Sequence, residues 1–458
     1  MPSLGPRLVV AGTHSGVGKT TVATGLMAAL RRRGVAVAAA KVGPDFIDPG
    51  YHALATGRPG RNLDPWMCGE QTVVALAGEA AAGADILVVE GVMGLFDGAA
   101  DRDGPVASTA SVAALLDAPV VLVVDASALS GSVAALVHGY ASWDPTVRVA
   151  GVVLNRVGSE SHEAMLRAAL SPLGVPVLGV LRRDDRLRWR DRHLGLVPVV
   201  EEEARVRTTL AELGATVERR CDVEALVAVA RTAPAPTVPA APRARVSGRA
   251  RVAVLGGRSF SFSYPDNLEL LEDAGAELLP VDPEVDDRLP PAVDALYAGG
   301  GFPEVYASRL AANRALLDDV AERVGRGLVT WAECGGLLWL ARTLDGHRMA
   351  GVVPADTRMT GRLTLGYRRA RPRVDTPLAG AGTELRGHEF HYSQCEPDGE
   401  DLEWRGREGG GRSGFASPTL LVSYLHLHLA ADPGLAERFV ATAAARPPLA
   451  RANTPSAG

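Results

Sequence analysis

The most constraining feature of this sequence is residues 12–21, GTHSGVGKTT, because of the segments that flank them. The apolar run 8–11 before them predicts a strand, and the spacing of apolar residues in 22–34 predicts a helix. A glycine-rich turn between a strand and a helix is typical of a phosphate-binding loop. One position departs from the usual G-x-x-x-x-G-K-[ST] pattern, since Thr13 stands where its first glycine belongs and Gly12 comes directly before it. The segment predicts a site for a nucleoside triphosphate.

Individual residues of this loop have predictable roles. Gly16 and Gly18 free the backbone so that its N–H groups can point at phosphate oxygens, and the helix N-terminus adds partial positive charge. Lys19 is expected to reach the outer phosphates, and the hydroxyl of Thr20 is expected to hold Mg²⁺. Thr21 follows directly and is included among the nucleotide-binding residues. The loop thus predicts a nucleotide with a divalent cation beside it.

Length and composition limit the class of protein. A chain of 458 residues exceeds an ordinary single core, which predicts two domains of roughly 200 residues each. No run reaches the ~18 apolar residues that a membrane span needs, and the N-terminus lacks the features of a signal peptide, so we expect a cytoplasmic protein without a membrane partner. A net charge of −5 and the lack of a basic stripe disfavour nucleic acid as a partner. Four scattered cysteines suggest neither a disulfide framework nor a zinc site.

Polar residues end several predicted strands of the first half. Strands that alternate with helices predict a doubly wound parallel sheet, in which ligands bind beyond the carboxyl ends of the strands. Glu90 ends an apolar strand and is the leading Mg²⁺ ligand, with Asp97 one loop later. Asp45 and Asp48 lie in a loop rich in Gly, Pro and Asp, where they either belong to the site or only shape a turn. Asn155 ends a later strand, and its amide either pairs with a purine or caps the chain locally.

A change of composition divides the chain. Residues 233–248, APAPTVPAAPRARVSG, contain Pro and Ala without apolar periodicity, which predicts a semi-rigid extended linker. We therefore expect a phosphate-loop domain over residues 1–232 and a second α/β domain over 249–446. The final residues, 447–458, are expected to be a disordered tail.

The second domain contains a predicted nucleophile. In residues 327–344, GLVTWAECGGLLWLARTL, an apolar strand is followed by Cys334, two glycines and a helix. This order indicates a sharp turn of the nucleophile-elbow type, where the helix N-terminus favours a thiolate. The backbone N–H groups of Gly335 and of the Gly300–Gly301 pair are expected to form the oxyanion hole.

A cysteine nucleophile needs a base. Residues 419–430, TLLVSYLHLHLA, are predicted to be one strand in which alternation places His426 and His428 on the same face. One of these two histidines is expected to activate Cys334. The pattern alone leaves the choice between them open.

Together these motifs resemble the CobB/CbiA family of cobyrinate or hydrogenobyrinate a,c-diamide synthases. The resemblance covers nearly the whole chain and rests on motifs in the family's order: GTHSGVGKTT, KVGPDFIDPGYH, EGVMGLFDG, LNRVGS, GGFPE, AECGGLLWL, LGYR, GHEF and SYLHLH. It implies a first domain similar to dethiobiotin synthetase and a second domain of the class I, triad-type glutamine amidotransferase fold. Tyr424-Leu425-His426 matches the Y-x-His pattern of related amidotransferases, which favours His426 and keeps His428 as the second choice. The triad's third acid, commonly two residues after the histidine, is not evident.

The resemblance implies a ligase reaction. Cys334 would release ammonia from glutamine, and ATP with Mg²⁺ would phosphorylate side-chain carboxylates of a corrin macrocycle that ammonia then amidates. Magnesium would be held by Thr20, Glu90 and one of Asp45 or Asp48. Asp45 and Asp97 would lie near the acceptor carboxylate. Asn155 would read the nucleotide base.

Alternatives remain open. The same two sites would serve an enzyme that amidates another tetrapyrrole, such as nickel sirohydrochlorin. A regulatory nucleotide-dependent ATPase, whose amidotransferase domain only binds, is disfavoured because such a domain needs no nucleophile at a strained turn. A homodimer is possible.

Overall fold

The computed structural model describes residues 3–101, 104–184, 189, 191–192, 195–407 and 409–446. The chain divides into two compact units, Met1–Ala241 and Pro242–Gly458, and the division falls within the Pro- and Ala-rich residues 233–248. The tail predicted for 447–458 lies outside the described residues. In the part of the chain that is described, no helix has both the length and the apolar content to cross a membrane.

The first unit contains a seven-stranded sheet with the order β3-β2-β4-β1-β7-β8-β9, and all its neighbouring strands run parallel. Its three central strands read as uninterrupted apolar runs because helices cover both faces of a doubly wound sheet. The strands of the unit are β1 (Arg7–Gly12), β2 (Val37–Val42), β3 (Arg61–Leu63), β4 (Ile86–Glu90), β5 (Ala99–Asp101), β6 (Gly104–Val106), β7 (Val120–Asp125), β8 (Val149–Val157), β9 (Val177–Arg182), β10 (Asp191–Arg192) and β11 (Gly195–Leu196).

Helices connect these strands, and α1 packs against α8 on one side of the sheet. The helices are α1 (Lys19–Arg32), α2 (Asp48–Thr56), α3 (Pro65–Cys68), α4 (Glu70–Ala81), α5 (Thr109–Leu115), α6 (Ser132–Ser142), α7 (Glu160–Leu170), α8 (Val199–Arg220) and α9 (Val223–Arg231). The carboxyl ends of β2, β4, β1 and β8 bring the predicted polar residues of this unit to one edge of the sheet. The predicted phosphate-loop parallel sheet is confirmed.

The second unit has a six-stranded sheet in the order β13-β12-β14-β15-β23-β22, parallel except for its last pair. A second, curled sheet with the order β17-β16-β18-β19-β24 is joined by β20 and β21. The strands are β12 (Ala250–Leu255), β13 (Ala276–Val281), β14 (Ala295–Ala298), β15 (Val329–Glu333), β16 (Thr343–Leu344), β17 (His347–Arg348), β18 (Asp356–Pro372), β19 (Leu385–Glu396), β20 (Leu402–Gly406), β21 (Gly409–Ser413), β22 (Phe415–Ser417), β23 (Leu420–Ser423) and β24 (His426–Leu427). The helices are α10 (Pro265–Asp273), α11 (Ala307–Ala312), α12 (Arg314–Gly325), α13 (Gly335–Leu340) and α14 (Gly434–Ala444).

The prediction of one continuous strand over residues 419–430 is wrong. The chain forms β23 in the first sheet, turns at Tyr424 and Leu425, and continues as β24 in the curled sheet. His428 follows β24 and directly precedes a short 3₁₀ turn, Leu429–Ala431. Alternation within one strand therefore cannot relate His426 to His428, because they belong to different local structures.

Both ends of the segment between the units are attached to the unit beside them. Thr237 forms a β-bridge with Ser3, and the guanidinium of Arg7 donates to the carbonyl oxygen of Pro234 at 2.6 Å. At the other end, the hydroxyl of Ser247 donates to the carbonyl oxygen of Glu437 at 2.7 Å.

Candidate active sites

The glycines of the phosphate loop adopt the conformation that their motif requires. The loop lies between β1 and α1, and Gly16 and Gly18 have φ angles of 77° and 102°. Glycine adopts this left-handed conformation without the clash that a Cβ brings. A Cβ on Gly18 would also lie 2.2 Å from Nδ2 of Asn155. Two independent constraints thus require glycine at position 18.

Lys19 and Thr21 lie on the first turn of α1. The ammonium group of Lys19 donates to the carbonyl oxygen of His14 at 3.2 Å. Burial lowers the pKa of Lys19 to about 8, and the nearby Lys41 reinforces this effect while neighbouring carboxylates oppose it. Thr21 is half-buried. An anion bound in the loop would favour the charged form of Lys19.

Glu90 is the centre of a buried polar cluster at the end of β4. Its Oε1 accepts hydrogen bonds from the Thr20 hydroxyl at 2.6 Å and from Nζ of Lys41 at 2.9 Å. Its Oε2 lies 2.6 Å from Nε2 of His52, which is also fully buried. The ammonium group of Lys41 also contacts Oδ2 of Asp48 at 2.6 Å. The structure therefore brings together three of the four predicted magnesium ligands and adds a lysine and a histidine.

Glu90 and Lys41 form an ion pair in this cluster, whereas burial and the nearby Asp45 raise the pKa of Asp48. Burial alone would raise the pKa of Glu90, but the Lys41 ammonium and the hydrogen bond to His52 hold it well below its usual range. Burial opposes the charge on Lys41 too, yet the carboxylates of Asp48 and Glu90 raise its pKa. Glu90 and Lys41 are therefore ionised at neutral pH.

The two acids predicted to lie near the acceptor are each oriented by backbone N–H groups. Oδ1 of Asp45 accepts from the N–H groups of Ile47 and Asp48 at 2.8 Å and 3.0 Å, at the start of α2. Oδ2 of Asp97 accepts from the N–H of Gly94 at 2.9 Å. The predicted turn-forming role of Asp45 is thus present in the structure, and its catalytic role stays a prediction.

Tyr140, on α6, connects the loop of Asp97 to the phosphate loop. Its hydroxyl donates to the carbonyl oxygen of Thr13 at 2.5 Å. Its ring stacks on Phe96, with the ring centroids 5.7 Å apart and the planes at 21°. Because Phe96 directly precedes Asp97, this one side chain fixes the acid's loop against the nucleotide loop.

Asn155 also contacts the phosphate loop. Its Nδ2 donates to the carbonyl oxygen of Val17 at 2.9 Å, and its Oδ1 accepts from the N–H of Arg156 at 2.9 Å. Arg156 has a φ of 57° and donates to the carbonyl oxygen of Gly16 at 2.8 Å. The amide of Asn155 therefore braces the loop, and its contact with a purine stays a prediction.

Cys334 lies at the turn between β15 and α13. Its φ of 47° and ψ of −100° are those of a strained turn, which typically stores about 1–3 kcal/mol for a residue with a side chain. A Cβ on Gly335 would lie 2.9 Å from the backbone nitrogen of Gly301, and a Cβ on Gly336 would lie 2.2 Å from the carbonyl oxygen of Ala298. The two glycines after the cysteine are therefore required by the close approach of β14 and the segment that follows it.

The predicted oxyanion donors differ in their surroundings. The N–H of Gly300 donates to the carbonyl oxygen of Phe262 at 3.1 Å, so this amide already has an acceptor. Gly301 and Gly335 lie against each other at the turn. This geometry favours Gly301 and Gly335 over Gly300 as donors, and the role of all three stays a prediction.

The two candidate bases have different neighbours. Burial alone would lower the pKa of His426, but the Cys334 thiolate and the Glu333 carboxylate raise it to about 10. Nε2 of His428 instead lies 3.7 Å from Oδ2 of Asp266. The structure thus brings His426 beside the predicted nucleophile and His428 beside Asp266.

Sequence reasoning missed three charged or polar residues of these sites. Lys41 and Glu333 each stand at the end of a buried strand, which is the same signal that identified Glu90. His52 had no such signal, because a single histidine within a helix is common and only the fold brings it to Glu90. These residues are buried beside the predicted ones.

Known proteins resemble both units. Residues 8–197 match the CobQ/CobB/MinD/ParA nucleotide binding domain family, and residues 251–434 match the CobB/CobQ-like glutamine amidotransferase domain family. The chain is 52% identical to a hydrogenobyrinate a,c-diamide synthase of Streptomyces coelicolor, over 95% of this chain and 97% of the relative. It is 47% identical to a protein of the same name from Mycobacterium bovis, over 97% of this chain and 99% of the relative. A cobyrinate a,c-diamide synthase of Syntrophotalea carbinolica is 45% identical, over 95% of this chain and 98% of the relative.

Proposed function

The chain belongs to the family of hydrogenobyrinate and cobyrinate a,c-diamide synthases, which are glutamine-hydrolysing, ATP-dependent amidoligases, and on this premise we propose that it amidates the a and c carboxylates of a corrin macrocycle in cobalamin biosynthesis. The macrocycle is hydrogenobyrinic acid or cobyrinic acid. One observation carries the proposal: a single chain holds both a cysteine at a strained turn beside a histidine and a phosphate loop beside a buried carboxylate.

The second unit is proposed to release ammonia. The Cys334 thiolate attacks the carboxamide carbon of glutamine, and the oxygen's negative charge is stabilised by backbone N–H groups at Gly301 and Gly335. His426, charged beside the thiolate, gives its proton to the leaving nitrogen, so ammonia departs and a thioester remains. Water then hydrolyses the thioester and releases glutamate. His426 is our choice of base because its ring interacts with Cys334.

The first unit is proposed to activate the acceptor. A carboxylate oxygen of the macrocycle attacks the γ-phosphorus of ATP, and ADP leaves. Ammonia then attacks the acyl carbon and phosphate leaves. A free carboxylate would not react with ammonia in this way, because hydroxide is a poorer leaving group than phosphate. Lys19 offsets charge on the transferred phosphoryl group, and Asp45 and Asp97 lie near the acceptor. Asn155 contacts the base, and Gly16, Gly18 and Thr21 belong to the phosphate site.

The residues near Glu90 suit magnesium. The hydroxyl of Thr20 donates its only proton to Glu90, so its oxygen presents lone pairs to a cation. Among the described side chains no three acidic, histidine or cysteine groups form a ready metal cage, which fits an ion that takes most of its ligands from phosphate and water. Thr20, Glu90 and one of Asp45 or Asp48 would hold it. When bound, the ion would neutralise charge on the phosphates.

The nitrogen source tests the division of labour. Cys334→Ala should abolish synthesis from glutamine and leave synthesis from added ammonia intact, because only ammonia release needs the thiolate. Cys221→Ala, which changes a partly buried cysteine of the first unit, is the matched control and should retain both activities. Loss of both activities in Cys334→Ala, with the control active, would overturn the assignment.

A substitution in the first unit should have the opposite pattern. Glu90→Gln keeps the shape of the side chain but removes its charge, so amidation should fall with either nitrogen source while glutamine hydrolysis continues. Glu160→Gln, at an exposed position on α7, is the control. Full activity of Glu90→Gln with ammonia would remove Glu90 from the ATP site.

Mass spectrometry separates the candidate substrates. Hydrogenobyrinic acid and cobyrinic acid are incubated separately with ATP, Mg²⁺ and glutamine. Two successive conversions of a carboxyl group to a carboxamide on either compound would identify the macrocycle. If neither reacts while ATP and glutamine are hydrolysed, nickel sirohydrochlorin is tested next. A regulatory ATPase would hydrolyse ATP without any amidated product.

Two further properties belong to the proposal. We infer a cytoplasmic enzyme, because the chain belongs to a family of biosynthetic enzymes that use ATP and glutamine. A homodimer would be recognised by light scattering of the full chain, and a monomer at working concentration would exclude it.

A further inference from the structure

We propose that Glu333, the residue directly before the nucleophile, is the acid that orients His426 during glutamine hydrolysis. The proposal deepens the proposed function and rests on its glutaminase step. It assigns the third triad member, which the sequence does not supply in the usual place after the histidine. Glu333 is a positioning residue here, because it acts on the substrate only through His426.

Contacts of the carboxylate support this role. Oε2 of Glu333 lies 3.9 Å from Nδ1 of His426, and both side chains are almost fully buried. The same oxygen accepts a hydrogen bond from the Tyr297 hydroxyl at 3.2 Å. Oε1 accepts from the N–H of Leu427 at 2.8 Å. One carboxylate thus contacts the ring of the histidine and the backbone of the residue that follows it.

A second side chain fixes the same segment. Asn267, on α10, donates from Nδ2 to the carbonyl oxygen of Leu427 at 2.8 Å and accepts at Oδ1 from the N–H of Leu429 at 2.7 Å. The backbone after His426 is therefore held from two sides. Asn267 anchors this backbone through a neutral amide, so anchoring alone does not require a carboxylate at position 333.

The reason for a carboxylate at this position follows from the chemistry of a cysteine–histidine pair. An imidazole that exchanges a proton with the thiol through one nitrogen must keep a proton on the other, and a carboxylate facing that nitrogen favours this tautomer and the imidazolium. Because Glu333 and Cys334 are neighbours in sequence, the strained turn places both the nucleophile and the acid beside the ring of His426. The acid therefore comes from the strand of the nucleophile instead of the strand of the base.

Other titratable groups also face His426. His388, opposite it on β19, stacks on its ring with the centroids 4.9 Å apart and lies 3.0 Å from the Tyr264 hydroxyl. Burial lowers the pKa of His388, with His426 as a second cause. Glu389, which pairs with Arg368, and His391 also interact electrostatically with His426, and His428 interacts with His388. Glu333 faces the ring directly, with its Oε2 3.9 Å from Nδ1 of His426.

The test compares three variants of the full chain in glutamine hydrolysis across pH. Glu333→Gln keeps an acceptor for Leu427 but loses the charge, so kcat should fall at least about tenfold. The alkaline limb of the kcat/KM profile, which reports loss of the imidazolium, should move down by about 1–3 pH units, because an anion within this distance normally raises the pKa of a cation. Glu333→Asp keeps the charge and should keep the alkaline limb near its wild-type position. Glu322→Gln, an exposed position on α12, is the control for the amide substitution.

Each outcome decides the proposal. If Glu333→Gln hydrolyses glutamine within about threefold of the wild-type rate, the proposal is overturned. A lower rate with an unmoved alkaline limb would also overturn it, because that result indicates an anchoring role only. If Glu333→Gln does not fold, judged by its thermal melt, the limb of Glu333→Asp decides, and a shift in that variant would overturn the proposal. Glutamine hydrolysis needs no macrocycle, so a wrong assignment of the corrin substrate would leave this test unaffected.

Discussion

Replacing Lys41 with methionine should strongly destabilise the first unit. The lysine's side chain is 4% exposed and lies 2.6 Å and 2.9 Å from the carboxylates of Asp48 and Glu90, whose side chains are 12% and 0% exposed. Methionine fills a similar volume but leaves two buried acids without their cation. Breaking a buried ion pair from one side typically costs 3–5 kcal/mol, so we expect a loss of about 3–5 kcal/mol in the free energy of unfolding.

Urea unfolding of the full chain, followed by circular dichroism and tryptophan fluorescence, measures this loss. Arg207→Met removes an exposed partner of Glu203 and should change the free energy of unfolding by less than about 0.5 kcal/mol. Lys41→Met combined with Glu90→Gln should recover part of the stability, because it removes the charge of Glu90 that Lys41 otherwise neutralises. Glutamine hydrolysis should persist in all variants.

The effect of pH checks the cause. Without Lys41 the folded-state pKa of Glu90 should rise above its unfolded value, so the folded state binds the extra proton and loses stability as pH rises. The variant's deficit should therefore be greater at about pH 8 than at about pH 5.5. A deficit below about 1 kcal/mol at both values would refute the reasoning, since it would mean that water already compensates the buried charges.

Three further predictions concern single residues. Tyr140→Phe keeps the ring stack but loses the hydrogen bond to Thr13, so the kcat of amidation should fall about tenfold with little change in the KM for ATP. A change confined to KM would contradict this prediction. His426→Asn should reduce glutamine hydrolysis by about 10²–10⁴-fold, and His428→Asn should reduce it by less than about tenfold. A larger loss in His428→Asn than in His426→Asn would refute our choice of base. Because the pKa of Lys19 is about 8 in the free protein, ATP binding near pH 8 should take up a proton, which calorimetry in buffers of different ionisation enthalpy detects. Heats that do not depend on the buffer would exclude this.

Much of this architecture follows from local patterns in the sequence. The strand, turn and helix around Lys19 and around Cys334 are each specified by residues close together in the sequence. Their residue types therefore predict both the backbone conformation and the class of ligand. The parallel sheet follows because buried strands alternate with amphipathic helices. Glu90 could be placed from its position at a strand end alone.

Other features depend on contacts distant in sequence. His52 reaches Glu90 only because α2 packs on β2, the strand that pairs with β4, and no periodicity carries that information. The chain between β23 and β24 reads as one alternating strand, yet it changes sheets at Tyr424, because its two halves pair with β15 and β19, which lie in different sheets. That change separates His428 from His426. Short-range pattern could not reveal it.

The attachment of residues 234–238 to the first unit has a practical consequence for dissecting the enzyme. A fragment cut after position 232 would lose the bridge from Thr237 to Ser3 and the buried side chain of Val238, which packs where Gly78 leaves room for it. It would also lose the carbonyl oxygen of Pro234, which accepts a hydrogen bond from the buried guanidinium of Arg7. A fragment that ends at residue 240 keeps all three contacts, so the length of the excised piece, and not its catalytic residues, would decide whether the isolated ATP-binding half can be purified.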